Sequence, residues 1–395
     1  MSLTLPLPQP DGSLANYTLS QREPWRAPVQ PSFNRVVYSA AHVVADPRAA
    51  IDPWVDCAID WDTTIAYRQH LWAMGLGVAE AMDTAQRGMG LDWPTSLELI
   101  RRSLDAARDV PGALVASGCG TDHLAPDAAC SVDDVIRAYE EQMEAIERLG
   151  GRLILMASRA LARVAAGPAD YERVYDRVLR QAREPVILHW LGDMFDPALR
   201  GYWGSADVDA AMATALGVIE AHADKVDGIK ISLLDKDKEI AMRRRLPDGV
   251  RMYTGDDFNY AELIAGDGVG GSPTQRQSDA LLGIFDAIAP AASAALSVLA
   301  TGDEAGFHEI LAPTVPLSRH IFRSPTRFYK TGVVFMAWLN GHQDHFVMVG
   351  GQQSSRSLPH FAELLRLADA AGLIEQPELA AQRMRTLLAF HGVSS

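Results

Sequence analysis

The stretch Val226-Asp-Gly-Ile-Lys-Ile-Ser232 is the most informative part of the chain about its fold, together with Met252-Tyr-Thr-Gly-Asp-Asp257 further along. Both begin as short apolar runs of the kind that form buried strands in a parallel sheet. A lysine inside such a run is unusual, because burying an ammonium costs on the order of several kcal/mol unless it is paired or loses its proton. An unprotonated lysine is a nucleophile that forms Schiff bases with carbonyl compounds. An exposed lysine at a strand edge, or one in a structural ion pair, is the alternative interpretation.

Short runs rich in Val, Ile and Leu alternate with longer amphipathic stretches along most of the chain. The predicted strands are residues 35–43, 75–81, 113–117, 152–157, 185–190, 228–232, 250–254 and 268–271. Strands that alternate with helices favour a parallel sheet, because parallel neighbours need a crossover connection. Eight such repeats predict a closed (β/α)8 TIM barrel over residues 34–285. An open doubly wound sheet is the structural alternative, but no GxGxxG follows the first strand.

The two ends of the chain have different patterns. After residue 277 the strand signals stop, and helical patterns over residues 278–300, 302–321, 329–340, 358–372 and 377–390 predict a C-terminal helical extension, residues 286–395. Residues 1–33 are rich in Pro, Gln and Ser and predict an irregular N-terminal arm. This arm lacks a basic n-region and an apolar h-region, so no secretory signal is expected.

Composition limits the classes of partner. The formal net charge is -14 and the pI about 5.2, which argues against nucleic acid or an acidic membrane surface. No apolar run is long enough for a membrane span. The three cysteines form no CxxC pair, so neither a zinc knuckle nor a disulfide framework is predicted, and a reducing cytoplasm is the expected compartment. We predict no cofactor and no metal.

Polar side chains gather where the predicted strands end, which is where TIM-barrel enzymes carry their chemistry. The candidates, in chain order, are His42, Glu80, Asp83, Thr84, Ser117, Arg159, His189, Lys230, Asp256 and Gly271. Each has a structural alternative. A histidine at a strand end is commonly a hydrogen-bonded structural residue, an aspartate pair can cap the next helix, and glycines form tight turns. Their convergence on one rim favours an active site.

Two of these strand ends resemble the dihydrodipicolinate synthase / N-acetylneuraminate lyase superfamily of class I aldolases, and in particular its divergent domain-of-unknown-function members. Gly228-Ile-Lys230 matches the position of that family's Schiff-base lysine, and Thr254-Gly-Asp-Asp257 stands where the family has Ser-Gly-Asp-Asp. Pro185-Val-Ile-Leu-His189 resembles the fifth strand, and the helical tail is similar. The resemblance implies a Schiff-base lyase that is a homo-oligomer.

The chain departs from this family where a 2-oxo acid carboxylate is held. Met82-Asp-Thr-Ala-Gln86 replaces the family's Gly-Thr-Thr-Gly-Glu, so only Thr84 is retained, and Asp83 would repel a carboxylate. His189 replaces the family's acid/base tyrosine. A keto-sugar or keto-sugar acid therefore suits the site better than pyruvate does.

The expected mechanism assigns two catalytic residues. Lys230 attacks the substrate carbonyl, and His189 is the general base because an imidazole titrates near neutrality. The predicted substrate-binding residues are Thr84, Asp83, Glu80, Ser117, Arg159, Asp256 and Gly271. The partner is a small oxo acid or keto-sugar. The tail, the arm and Trp203, taken as an exposed aromatic, predict a homo-oligomer.

Two other functions remain open at this stage. The first is a metal-dependent barrel, a sugar isomerase or hydrolase, with His42, Glu80, His189 and Asp256 converging on Mn²⁺, Zn²⁺ or Co²⁺. No HxH or HExxH motif supports it, and Lys230 would need another role. The second is a non-enzymatic sensor or scaffold, because one fold hosts many functions.

Overall fold

The computed structural model contains a closed barrel of eight parallel strands, and it describes residues 3–20, 22–82, 87–125 and 131–393. An N-terminal hairpin, β1 (Thr4–Pro8) and β2 (Leu14–Thr18), precedes the barrel. The barrel strands are β3 (Val37–Ala40), β4 (Gly77–Glu80), β5 (Val115–Cys119), β6 (Arg152–Leu155), β7 (Val186–Leu191), β8 (Val226–Ser232), β9 (Arg251–Thr254) and β10 (Asp279–Leu282). Strand β10 pairs with both β9 and β3 and closes the barrel. The predicted TIM barrel is confirmed.

Helices connect the barrel strands and cover them from outside. They are α1 (Trp61–Ala73), α2 (Trp93–Ala107), α3 (Val132–Arg148), α4 (Arg159–Val164), α5 (Pro168–Gln181), α6 (Val208–Ala221), α7 (Lys236–Arg243), α8 (Tyr260–Ala265) and α9 (Pro273–Arg276). Several begin at a side chain that accepts a hydrogen bond from a first-turn N–H group, as Asp60, Asp92 and Ser131 do. These caps fix where each helix begins after its strand.

The predicted eighth strand was wrong. Residues 268–271 form a loop in which Gly268 and Gly270 have positive φ angles of 67° and 148°, and the strand lies instead at Asp279–Leu282. Glycine adopts positive φ angles readily, whereas the residues of an extended strand have negative φ angles. The true strand was missed because its short apolar run continues directly into the apolar helix that follows it.

A separate apolar cluster fills the inside of the barrel, including Tyr38, Ala79, Ile154, Ile187 and Tyr253. Side chains along a strand alternate between its two faces, so residues two positions apart face the same side. The inward series on β7 therefore continues from Ile187 to His189 and Leu191, and the register aligns Lys230 of β8 with both His189 and Tyr253. Lys230 and His189 thus face the barrel interior.

The C-terminal extension packs against the end of the barrel. Its helices are α10 (Ile284–Ala287), α11 (Ala289–Ala300), α12 (Glu304–Leu311), α13 (Val315–Ile321), α14 (Tyr329–Leu339), α15 (Leu358–Ala370) and α16 (Pro377–Phe390). Helix α14 begins directly over the barrel mouth: a Cβ at Gly283, after β10, would lie 2.8 Å from the Tyr329 ring. The helical extension therefore covers the end at which chemistry is expected.

The N-terminal arm is more regular than its composition predicts, since β1 and β2 pair antiparallel from Thr4 to Thr18. The arm packs on α15, where the Tyr17 hydroxyl and the Ser20 N–H and hydroxyl donate to the Asp369 carboxylate. It thereby joins the first residues of the chain to the C-terminal helices.

Trp203 does not lie on the surface, so the exposed aromatic used to predict an oligomer was wrong. The indole is fully buried and stacks on Tyr175 with ring centroids 4.6 Å apart. Its backbone φ of 68° is uncommon outside glycine. The homo-oligomer stays a prediction. Within the described ranges, no helix combines the length and apolarity needed to cross a membrane.

Candidate active site

Lys230 lies within β8, the sixth barrel strand, and only 5% of its surface is exposed. Its Cα is in register with that of His189 on β7, so the two inward-facing side chains are neighbours. Gly255, just after β9, leaves room for the lysine stem, because a Cβ there would lie 2.8 Å from Lys230 Cε. The site therefore needs glycine at this position of the motif Thr254-Gly-Asp-Asp257.

His189 is completely buried beside this lysine, and its Nε2 lies 3.3 Å from the Ser232 Oγ. Burial lowers the pKa of His189 well below its ordinary value, and the positive charge of Lys230 lowers it further. The imidazole is therefore neutral at physiological pH. The sequence argument that it titrates near neutrality does not hold in this environment.

Asp257 is a titratable carboxyl that the sequence argument did not single out. It is 3% exposed and accepts a hydrogen bond from the Ile284 N–H at 2.9 Å. Burial raises its pKa to about 7, while the Ile284 N–H and the charge of Lys230 act in the opposite direction. Because Asp257 feels the charge of Lys230 and exchanges its proton near neutrality, it has the properties of an acid/base group in this site.

Asp256, the neighbouring aspartate that we predicted to bind substrate, is used locally instead. Its carboxylate accepts hydrogen bonds from the Phe258 and Asn259 N–H groups at 2.8 and 3.0 Å and from the Asn259 amide at 2.9 Å. This is the capping role that the sequence left open as an alternative. Burial raises the pKa of Asp256 as well.

Two predicted substrate ligands face away from the barrel interior. Glu80 is fully buried between α1 and α2, where Arg68 donates to both carboxylate oxygens at 2.9 and 2.8 Å and the Ser103 hydroxyl donates to one. Ser117 is paired with Glu80 in the strand register and lies on the same outer face. The structure therefore does not bring Glu80 and Ser117 together with Lys230.

Gly271 also lies away from the barrel mouth. It belongs to the loop between α8 and β10, which connects at the amino end of the strands, and its N–H donates to the Gln275 side chain at 2.8 Å. Arg159, in contrast, begins α4 at the carboxyl end of β6 and donates through Nε to Asp196. Asp83 and Thr84 lie outside the described residues.

His42 is held in a buried network at the carboxyl end of β3. Its Nδ1 lies 2.9 Å from the Asp286 carboxylate, which also accepts from the His42 backbone N–H and pairs with Lys330 at 3.3 Å. His42 and Glu80 are therefore each held by other buried partners. The four residues of the metal hypothesis, His42, Glu80, His189 and Asp256, do not converge on one site. No group of three or more His, Cys, Asp or Glu suited to a metal occurs in the part of the chain that the structure describes.

The fold has been seen in enzymes of one family. The E. coli K12 prophage protein YagE, of the dihydrodipicolinic acid synthase family and solved with pyruvate, aligns with a TM-score of 0.66 and 12% identity, over 87% of this chain and all of that one. The dihydrodipicolinate synthase of Aquifex aeolicus aligns with a TM-score of 0.58 and 11% identity, over 91% and 98% of the two chains. That of Acinetobacter baumannii gives 0.59 and 13%, over 87% and 100%.

The sequence matches a family that carries a different name from that of these solved structures. No curated protein matched the chain. Residues 5–393 match the family DUF993, described as a protein of unknown function, and this range spans the arm, the barrel and the helical extension. The chain therefore belongs to the DUF993 family, and it has the fold of the dihydrodipicolinate synthase family.

Proposed function

We propose that this protein is a class I aldolase-type lyase in which Lys230 forms a Schiff base with a 2-oxo acid or a keto-sugar acid. The observation that carries the proposal is the buried, inward-facing Lys230, which is in register with neutral His189 and acts electrostatically on Asp257, whose pKa burial raises to about 7. Buried amines of this kind lose their proton more readily than exposed ones, and the amine form is the nucleophile.

The covalent step begins with the unprotonated Nζ of Lys230. Its lone pair forms a bond to the substrate carbonyl carbon, and the carbonyl oxygen takes one proton from the amine nitrogen and one from an acid and leaves as water, which gives an iminium. Asp257 in its protonated form is the donor for that oxygen. The positively charged iminium then withdraws electrons from the adjacent carbon.

Bond cleavage follows from this electron withdrawal. A base removes the proton of the hydroxyl on the carbon beyond, the carbon–carbon bond breaks, and its electron pair forms the enamine. Asp257, ionised after the first step, is that base, and neutral His189 hydrogen-bonds the reacting oxygen. Protonation of the enamine carbon and attack of water on the iminium release the second product and restore Lys230.

Borohydride trapping tests this chemistry directly. Purified protein is mixed with a panel of 2-oxo acids and keto-sugar acids, reduced, and analysed by intact mass and peptide mapping. We expect a mass gain on the peptide that contains Lys230, and we expect His189→Ala to retain a measurable fraction of it. An absence of any adduct across the panel, with folded protein, would contradict the proposal.

A further inference from the structure

A cavity lies between the carboxyl end of the barrel and the C-terminal extension. Its volume is about 340 Å³, and the side chains that line it include Arg159 after β6, Leu191 at the end of β7, and Arg327 and Gln352 from the extension. Leu191 is the next inward position after His189 on β7. Two residues of strand span about 6.6 Å, so Leu191 lies about that distance beyond His189 along β7.

Close backbone packing fixes the walls of this cavity. Gly88 leaves space for Arg159, because a Cβ there would lie 2.9 Å from Arg159 Nη1. Gly90 packs on the extension, since its Cβ would meet the Gly350 nitrogen at 2.8 Å. A Cβ at Gly350 would in turn clash with the Met89 carbonyl oxygen. The barrel loop and the extension therefore form one continuous wall around the two arginines.

The charge inside the cavity is only partly compensated. Arg159 donates through Nε to Asp196, and the other oxygen of Asp196 accepts from the Ala198 N–H. The two Nη groups of Arg159 have no hydrogen-bond partner among the described residues. Arg327 forms no ion pair within that same part of the chain, and its guanidinium lies over the Phe328 ring, 4.8 Å from the centroid. Among the residues that the structure describes, two guanidinium groups thus line the cavity together with one carboxylate.

The surroundings of the cavity are also basic, although the whole chain carries a net charge of -14. Arg356 is half-buried and donates to the carbonyls of Arg323 and Pro325, two residues before Arg327. No carboxylate pairs with Arg356 within the described ranges. A local surplus of cations in an acidic protein concentrates anions at that point of the surface.

We infer that this cavity binds a terminal oxyanion of the substrate, a phosphate or a carboxylate, through Arg159 and Arg327 while the oxo group reacts at Lys230. This inference rests on the proposed function and narrows its substrates to those with a second anionic group a few atoms from the carbonyl. Guanidinium groups suit both oxyanions, because their N–H groups form parallel pairs of hydrogen bonds with them.

The first experiment measures anion binding without catalysis. Inorganic phosphate and acetate are titrated calorimetrically into full-length wild type, Arg327→Gln and Arg323→Gln. Arg323 is the matched control, because it lies on the same segment but does not line the cavity. We expect Arg327→Gln to weaken binding of the preferred anion about 10- to 100-fold, as for loss of a charge-assisted hydrogen-bond pair, and Arg323→Gln to weaken it less than about twofold.

The same titration identifies the anion and can overturn the inference. Tighter binding of phosphate than of acetate assigns a phosphate tail, and the reverse order assigns a carboxylate tail. Equal losses in Arg327→Gln and Arg323→Gln, or no binding of either anion to wild type, would overturn it.

The second experiment separates this inference from the proposed function. Borohydride trapping at Lys230 is compared for pyruvate, which has no second anion, and 2-oxoglutarate, which has one. We expect Arg327→Gln to raise the half-saturating concentration of 2-oxoglutarate about tenfold or more and to leave that of pyruvate unchanged. An equal effect on both rejects the cavity as the tail site. If neither compound nor any other oxo acid is trapped, the proposed function fails, and the anion titration alone decides about the cavity.

Discussion

Lys230 and Lys330 are both almost completely buried, with 5% and 3% of their surfaces exposed, and the Asp257 carboxyl acts electrostatically on both, but the other groups beside them differ. Lys330, on helix α14, donates to the Ala40 carbonyl and pairs with Asp286 at 3.3 Å. The charges of His42 and Lys330 hold the pKa of Asp286 far below its ordinary value, in spite of burial. Lys330 therefore faces a carboxylate that stays ionised throughout the physiological range.

Lys230 has a different electrostatic setting. Its strand neighbour His189 is neutral because burial lowers the imidazole pKa, and burial raises the pKa of Asp257 to about 7. A permanently ionised carboxylate stabilises an ammonium, whereas a carboxyl that is half-protonated at neutrality exchanges protons with its surroundings. Burial alone therefore does not make a lysine reactive. The ionisation state of its neighbours decides between a structural ion pair and a nucleophile.

The largest expected effect separates the two lysines chemically. Lys230→Ala should remove all borohydride-trapped adduct and nearly all turnover, because the proposed covalent bond to the substrate is formed by the Lys230 Nζ. The thermal unfolding midpoint should change little. If the adduct persists in Lys230→Ala and maps to Lys330, then Lys330 is the nucleophile and the assignment of Lys230 is wrong.

Asp257→Asn tests the proton carrier. Loss of a positioned acid/base group should lower turnover about 10²- to 10⁴-fold. Wild-type turnover should change as the pH passes through about 7, where Asp257 goes from protonated to ionised, and this change should vanish in the variant. Asp256→Asn is the matched control, because an asparagine still caps and the pH-dependent change should remain, although at lower pH, since the Asp256 charge raises the pKa of Asp257. An unaltered profile in Asp257→Asn would assign the titration elsewhere.

The same carboxyl has a consequence for stability. Its folded pKa is raised above the ordinary value of 3.8, so the native state holds the proton more tightly than the unfolded chain does. That contribution is fully present below the unfolded pKa and is lost as the pH rises through about 7. Denaturant titrations at several pH values should therefore show Asp257→Asn gaining stability relative to wild type between pH 4 and pH 8, and a constant difference would contradict this.

Lys330→Met tests whether Lys330 stabilises the fold. Removing the cation leaves the ionised Asp286 buried, which should lower the free energy of unfolding by about 3–5 kcal/mol. Lys236→Met is the matched control, since Lys236 pairs with Glu262 on the surface and the loss of an exposed ion pair should lower the free energy of unfolding far less. Denaturant unfolding measures both. Similar losses in the two variants would mean that Lys330 is not a structural anchor.

The smallest expected effect concerns Ser232, whose hydroxyl lies 3.3 Å from His189 Nε2. A hydrogen bond between neutral groups contributes about 0.5–1.5 kcal/mol, so Ser232→Ala should lower turnover no more than about tenfold. The adduct at Lys230 should still form at wild-type yield. Complete loss of trapping would show that Ser232 takes part in covalent chemistry and does more than orient the imidazole.

The strand pattern located Lys230 and His189 because side-chain alternation within a strand is a local property. It failed for Glu80 and Ser117, since a shift of one residue at a strand end turns a side chain to the opposite face. Which of Asp256 and Asp257 is the acid/base candidate depended on the loop after β9. There the Asp256 carboxylate accepts from the Phe258 N–H, and the Asp257 carboxylate accepts from the Ile284 N–H. Nothing in the order of the residues distinguishes these two partners.

Periodicity, chain direction and short motifs act over a few residues, so they were enough to predict the barrel, the helical extension and the lysine on the sixth strand. Which charges meet depends on contacts between distant parts of the chain. Lys330 reaches Ala40, which lies 290 positions earlier in the chain, and Arg327 of the extension shares a cavity with Arg159 of the barrel. The ionisation of each group follows from its burial and from such distant neighbours, and folding alone brings them together.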